Sequence, residues 1–269
     1  MLFRSVAWAW KAGGSGGGLS FWKDGTGYST ASAAGLTAGT ITPTGASVNT
    51  KSGFSIITWT GNGSTVTIPH GLGKAPSLII SKNRTTGTTD WSVYHSSTGK
   101  DAYLALNKTN SSASLSNFWG SSTPDSTVFG VLTGRDDARN GDNIVAYCWA
   151  EIPGFSKFGS YTGNGSADGV FVNLNFRPRW LLIKRTDTTN SWVIYDSSRG
   201  IYNANDYRIY PDLSNAEGVN QGAGIDFLSN GFKIRSTGSW HNTSGDNYVY
   251  ACFAEAPSIN LYGAQANAR

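Results

Sequence analysis

Apolar positions along this chain fall in short runs, and none continues with helical spacing. The longest clearly apolar run, residues 144–150, has the length of a strand. Residues 78–82, 144–149, 180–184 and 248–253 read as buried strands, 91–94 and 192–195 as short aromatic strands, and 128–132 and 231–234 as further strands. Between them stand turn sequences. Gly141-Asp142-Asn143 and Gly245-Asp246-Asn247 feed the last strand of each series, and Thr60-Gly61-Asn62-Gly63-Ser64 is another such turn. Asp and Asn tolerate the left-handed conformations that Gly adopts freely, so this is hairpin chemistry. Residues 203–217 hold one helical turn at most, and residues 19–51 read as an extended arm or loop connection.

The pattern occurs twice. Gly53-Phe54-Ser55 recurs as Gly154-Phe155-Ser156, and the turn at 60–64 recurs at 162–166. Trp91 and Tyr94 answer Trp192 and Tyr195, Lys82 answers Lys184, and Glu151 answers Glu255, always in the same order. Each copy is about a hundred residues long, a length that suits one β-sandwich. The expected fold is therefore all-β: two tandem β-sandwich repeats of jelly-roll or lectin-like type at 52–153 and 154–257, with a tail at 258–269. Their cores centre on Trp91, Tyr94, Cys148, Trp149, Trp192, Tyr195, Cys252 and Phe253.

One strand is in surplus. Val6, Ala7, Trp8, Ala9 and Trp10 resemble the closing strand at 145–149, but no body accompanies them. Residues 1–14 read in one of two ways: as the end of a longer repeat array, cut just before a closing strand, or as a donor strand for a neighbouring copy, tethered by the glycines of 13–18 at the start of a 15–51 arm. Strand addition uses the unpaired backbone groups of an open sheet edge, and Gly-rich linkers give reach.

Composition narrows the class. Of 269 residues, 34 are Gly, 13% are aromatic and only 14% are charged. The aromatic content excludes a disordered chain, and the Gly, Ser, Thr and Asn content argues against a helical bundle. No stretch approaches the length of a membrane-spanning helix. The net charge of +4 is scattered, without the density of a nucleic-acid footprint. The two cysteines lie in matching strand contexts and read as buried apolar residues.

The run Thr40-Ile-Thr-Pro-Thr-Gly-Ala-Ser-Val48, the segment Pro69-His-Gly-Leu-Gly-Lys-Ala-Pro76, the motif Phe176-Arg-Pro-Arg179 and the stretch Gly154 to Gly169 resemble a repeat domain of tail and tail-fibre proteins in aquatic bacteriophages. The resemblance covers nearly all of residues 6–269, and its motifs are structural. It implies a virion or extracellular particle or filament component and says little about a ligand; the partners expected from the residues themselves are copies of the chain, with a cell-surface glycan as the alternative.

Candidate chemistry is sparse. His70, His95 and His241 lie far apart without ligand spacing, so no metal or other cofactor is expected. Asp136, Asp137 and Asp142 share a loop, and only the last recurs, as Asp246. A turn held by Asx hydrogen bonds is the expected role of that Asp, ahead of calcium binding or a glycan-hydrolase carboxylate pair. Trp119 and Trp240 lie in polar loops without repeat partners and are the candidates for exposed glycan contact. The reading is a non-enzymatic structural protein; the rivals are a glycan- or receptor-binding module and, less favoured, a polysaccharide hydrolase.

Overall fold

A computed structural model of the chain describes residues 7–219 and 224–255; Val6 and the tail at 258–269 lie outside them. The fold is all-β. The strands are β1 (Phe21–Lys23), β2 (Thr26–Tyr28), β3 (Gly45–Asn49), β4 (Phe54–Thr60), β5 (Val66–Pro69), β6 (Leu78–Asn83), β7 (Trp91–His95), β8 (Ala102–Ala105), β9 (Ala113–Ser114), β10 (Val128–Val131) and β11 (Asn143–Trp149). They continue as β12 (Ser156–Thr162), β13 (Phe171–Asn173), β14 (Pro178–Arg185), β15 (Val193–Asp196), β16 (Tyr207–Arg208), β17 (Gly218–Val219), β18 (Ile225–Leu228), β19 (Gly231–Ile234) and β20 (Asn247–Ala254).

A large sheet runs β2-β1-β3-β4-β11-β6-β7-β8-β9, and a second runs β12-β20-β14-β15. The order β4-β11-β6-β7 thus reappears as β12-β20-β14-β15. Small sheets accompany each: β10-β5 in the first half, β13-β19-β18 in the second. The matching turns are built alike. Gly61 N–H donates to the Asp142 carbonyl and Gly163 N–H to the Asp246 carbonyl. A Cβ on Gly61 would run into the Arg139 carbonyl, and one on Gly163 into that of Thr243, so only glycine fits either place.

Side chains of the central strands alternate between two cores, as the period of two requires. From β11, Ile144, Ala146 and Cys148 enter a core shared with Val66 and Ile68 of β5 and Phe129 and Val131 of β10. From β20, Tyr248, Tyr250 and Cys252 enter the corresponding core with Ile225, Phe227, Phe232 and Ile234. Trp149 of the large sheet and Val249, Ala251 and Phe253 of the second turn the other way, into a third core. That core also takes Phe54, Leu78, Val93 and Leu104 from the large sheet and Phe158, Trp180, Leu182, Trp192 and Ile194 from the second half. Four layers result, with the two larger sheets back to back across an aromatic seam. Both cysteines are buried and free, and desolvation pushes the Cys148 thiol up to about 12.

Two local expectations are corrected. Residues 19–51 are not a bare arm: β1 to β3 extend the large sheet past β4, and Phe21, Ala31, Ala34, Leu36 and Val48 are buried in its core. Small residues at turns cover that core without any periodicity to betray them. Residues 203–217 form no helical turn; Tyr207–Arg208 is a short strand. The one short helix among the described residues, a 3-10 turn, is Asp136–Ala138.

Candidate functional site

Of the residues nominated from the sequence, Trp8 and Trp10 lie at the seam, whereas Trp119 and Trp240 belong to the first and second cores. Residues 7–12 adopt no strand. The alternation of Trp8 and Trp10 puts both rings on one side of an extended segment, and that side is already occupied within the same chain. Trp10 stands edge-on to Trp149 (centroids 5.8 Å apart), Trp180 (5.5 Å) and Phe253 (5.4 Å). Trp8 meets Trp180 at 6.3 Å, with the Arg199 guanidinium 5.8 Å from its ring. The segment is held further along by Ser52 Oγ donating to the Lys11 carbonyl (3.0 Å) and Ser47 Oγ to the Gly14 carbonyl (2.8 Å). Gly13 is wedged so closely against the Val48 backbone that a Cβ would collide with it. The expected donor strand at Ala7, Trp8, Ala9 and Trp10 is therefore corrected: these residues close a seam of their own chain. Of the glycine tether, Gly13 and Gly14 are anchored rather than free.

Trp119 is also corrected. It is fully buried, T-shaped to Tyr94 at 5.8 Å and tilted on Phe118 at 5.2 Å. The polar loop that carries it folds over the open end of the first core and needs one large apolar plug. Trp240 is half-buried, with the Arg208 guanidinium 4.4 Å over its ring, so one face of the indole is already covered by a cation. Trp192 is buried and its indole N–H donates to the Ala105 carbonyl at 2.8 Å, while Trp91 stays half-exposed beside Tyr147.

The loops at 134–142 and 238–246 occupy equivalent places and use different chemistry for the same tasks. The Trp59 indole N–H donates to the Asp137 carbonyl (3.3 Å), and the Tyr161 hydroxyl donates to the His241 carbonyl (2.8 Å). Asp142 accepts from Asn83 Nδ2 (2.7 Å) and Thr86 Oγ1 (3.0 Å), whereas Asp246 pairs with Arg185. These contacts are not the Asx hydrogen bonds expected of the two aspartates: each ties its turn to side chains at the end of a neighbouring strand instead. Asp136 pairs with Arg139 at 2.7 Å.

Asp137 is the unusual member. Its side chain lies fully under the loop, and neither carboxyl oxygen closes a well-formed hydrogen bond. Desolvation pushes the carboxyl up to about 6; the Ser81 and Ser92 hydroxyls, which lie toward it, pull weakly the other way. A carboxylate pair flanking an open cleft is not what this loop forms. Nor do the described residues gather three or more His, Cys, Asp or Glu side chains in a place that could hold a metal ion.

Two buried groups for which the sequence suggested no such role tie the halves together. His95 is buried, with Nε2 3.0 Å from the Tyr250 carbonyl and Nδ1 accepting from the Ser97 amide at 3.1 Å. A carbonyl at Nε2 and an amide N–H at Nδ1 fix the neutral tautomer protonated on Nε2. Desolvation lowers its pKa to about 4. Lys184, equally buried, donates to the carbonyls of Asn190 (2.6 Å) and Thr109 (3.1 Å), and burial lowers its pKa to about 8. The repeat itself held a clue to His95: its counterpart is Asp196, whose carboxylate accepts the amides of Ser198 and Arg199 in the same turn.

No curated protein and no solved structure matches the chain. Residues 3–257 match the family described as a domain of unknown function, DUF7483, and the chain belongs to that family.

Proposed function

We propose that the chain is a non-enzymatic structural protein of an extracellular assembly, of the kind found in bacteriophage tails and tail fibres, made of two tandem β-sandwich units and associating with copies of itself through β edges. The observation that carries this reading is the seam. Aromatic side chains from both halves and from residues 8 and 10 join two sheets into one four-layered body, and the recurring polar residues are used in turns. Such a body resists local opening, which suits a mechanical part. Electron microscopy of the purified chain tests the reading: regular fibres or tubes support it, and isolated monomers at every concentration overturn it.

A second reading, contact with a cell-surface glycan or receptor, draws on a different place from the one the sequence suggested. Ile201 and Tyr202 are 64% and 79% exposed on the loop after β15. This exposed apolar pair is the feature that favours the reading. Binding on a glycan array, lost in Tyr202→Ala, would favour it; a blank array would count against it.

A further inference from the structure

The two halves share a strand order but differ at one edge. In the first, β4 is flanked on its outer side by β3, from Gly45 opposite Thr58 to Asn49 opposite Phe54. In the second, β12 ends its sheet, and no described strand lies beyond it.

The register of β12 on β20 fixes which backbone groups are left over. Gly163 N–H donates to the Asp246 carbonyl and Ala254 N–H to the Phe155 carbonyl, so the odd-numbered residues of β12 face β20. In an antiparallel ladder the even-numbered residues then direct N–H and C=O outward. Two outward donors are engaged by the chain itself: Ser156 N–H meets the Ile152 carbonyl, and Phe158 N–H reaches a Glu151 carboxylate oxygen at 3.4 Å. The N–H groups of Ser160 and Thr162 and the carbonyls of Phe158 and Ser160 have no backbone partner among the described residues. Both Ser160 and Thr162 are exposed.

Edges are usually guarded by proline, charge or a bulge. Residues 158–162 have no proline and no charge, and their pairing to β20 is regular. The nearest charges flank this stretch: Lys157 directs its amine to the Asn173 carbonyl at 3.0 Å, and Glu151 sits on the Phe158 N–H, so the open part of the edge begins at the Phe158 carbonyl.

We infer that the β12 edge is a self-docking site, taken by the β12 strand of a second copy running antiparallel about a two-fold axis at Ser160. This deepens the self-assembly reading and rests on it. The leftover groups are self-complementary in that arrangement. Ser160 exchanges N–H and C=O bonds with the partner's Ser160, and each Thr162 N–H donates to the partner's Phe158 carbonyl. A two-fold contact of this kind is isologous and closed, so it yields a dimer through this edge.

The axis places residue 160 opposite itself, which gives a decisive test. Sedimentation of the full chain should show a dimer whose dissociation constant rises about two- to fivefold in Ser160→Lys and in Ser160→Asp, because like charges then face each other across the strand pair. Mixing the two variants should restore association as a heterodimer. Hydrogen exchange on the unmodified chain is the second readout and needs no substitution: the amides of Ser160 and Thr162 should gain protection as concentration rises. Association that is indifferent to both variants overturns this edge while leaving self-assembly standing. Failure of the mixture to restore it overturns the two-fold at Ser160. Protection of these amides at every concentration means that the chain covers its own edge, and overturns the inference. A monomer at all concentrations overturns both the inference and the self-assembly reading.

Discussion

Replacing Asp137 with Asn should stabilise the protein at neutral pH. The carboxyl is buried under the 134–142 loop, and its pKa is raised from 3.8 to about 6, chiefly by desolvation, with Asp136 adding repulsion and Ser81, Ser92 and Arg135 opposing. A group whose pKa is raised by folding favours the fold when protonated. Its contribution is present below 3.8 and is lost as the pH rises through about 6. The shift corresponds to about 3 kcal/mol of destabilisation at pH 7, falling to about 0.5 kcal/mol at pH 4, where the carboxyl stays protonated in the fold. Asn keeps the shape, cannot ionise, and offers its amide to the two serine hydroxyls. Urea denaturation of Asp137→Asn and the parent at pH 7 and pH 4 measures the difference, and every other titrating group cancels between them. A gain of about 2–3 kcal/mol at pH 7 that nearly vanishes at pH 4 is expected. An equal effect at both pH values, or a loss at pH 7, would refute a desolvated carboxylate at this place.

Trp10→Ala should cost about 2 kcal/mol in the same assay, since a half-buried ring leaves three aromatic neighbours without a partner. Trp119→Ala should cost about 3–5 kcal/mol, as a fully buried indole does, and leave any glycan binding unchanged; a neutral effect on stability would return Trp119 to the surface. His95 acts in the sense opposite to Asp137. Its pKa is lowered by folding, so its stabilisation is present above 6.5 and is lost as the pH falls toward 4, by about 3 kcal/mol in all. His95→Gln should flatten that part of the stability–pH curve, and an unchanged acid limb would contradict the buried neutral imidazole.

The sequence was most informative where it repeated itself. The matched turns around Gly61 and Gly163, and the closing strands ending at Trp149 and Phe253, lie at equivalent places in sheets of the same order, because turn geometry and two-faced burial leave few residue choices. It misled where one residue type serves two ends. Trp119 sits among Ser and Gly and still fills a core. Trp8 and Trp10 look like a strand, yet their partners are Trp149, Trp180 and Phe253, more than a hundred residues away. Asp137 and His241 occupy one structural position with different side chains, so similarity could not pair them. The open edge at β12 was illegible for another reason: it is defined by what lies beside a strand, and composition does not record an absent neighbour.

Sedimentation velocity of the full-length chain over a wide concentration range tests the central claim most directly. The account predicts reversible self-association that grows with concentration and that is weakened by Ser160→Lys and restored on mixing with Ser160→Asp. A single monomeric species across the whole range would contradict it.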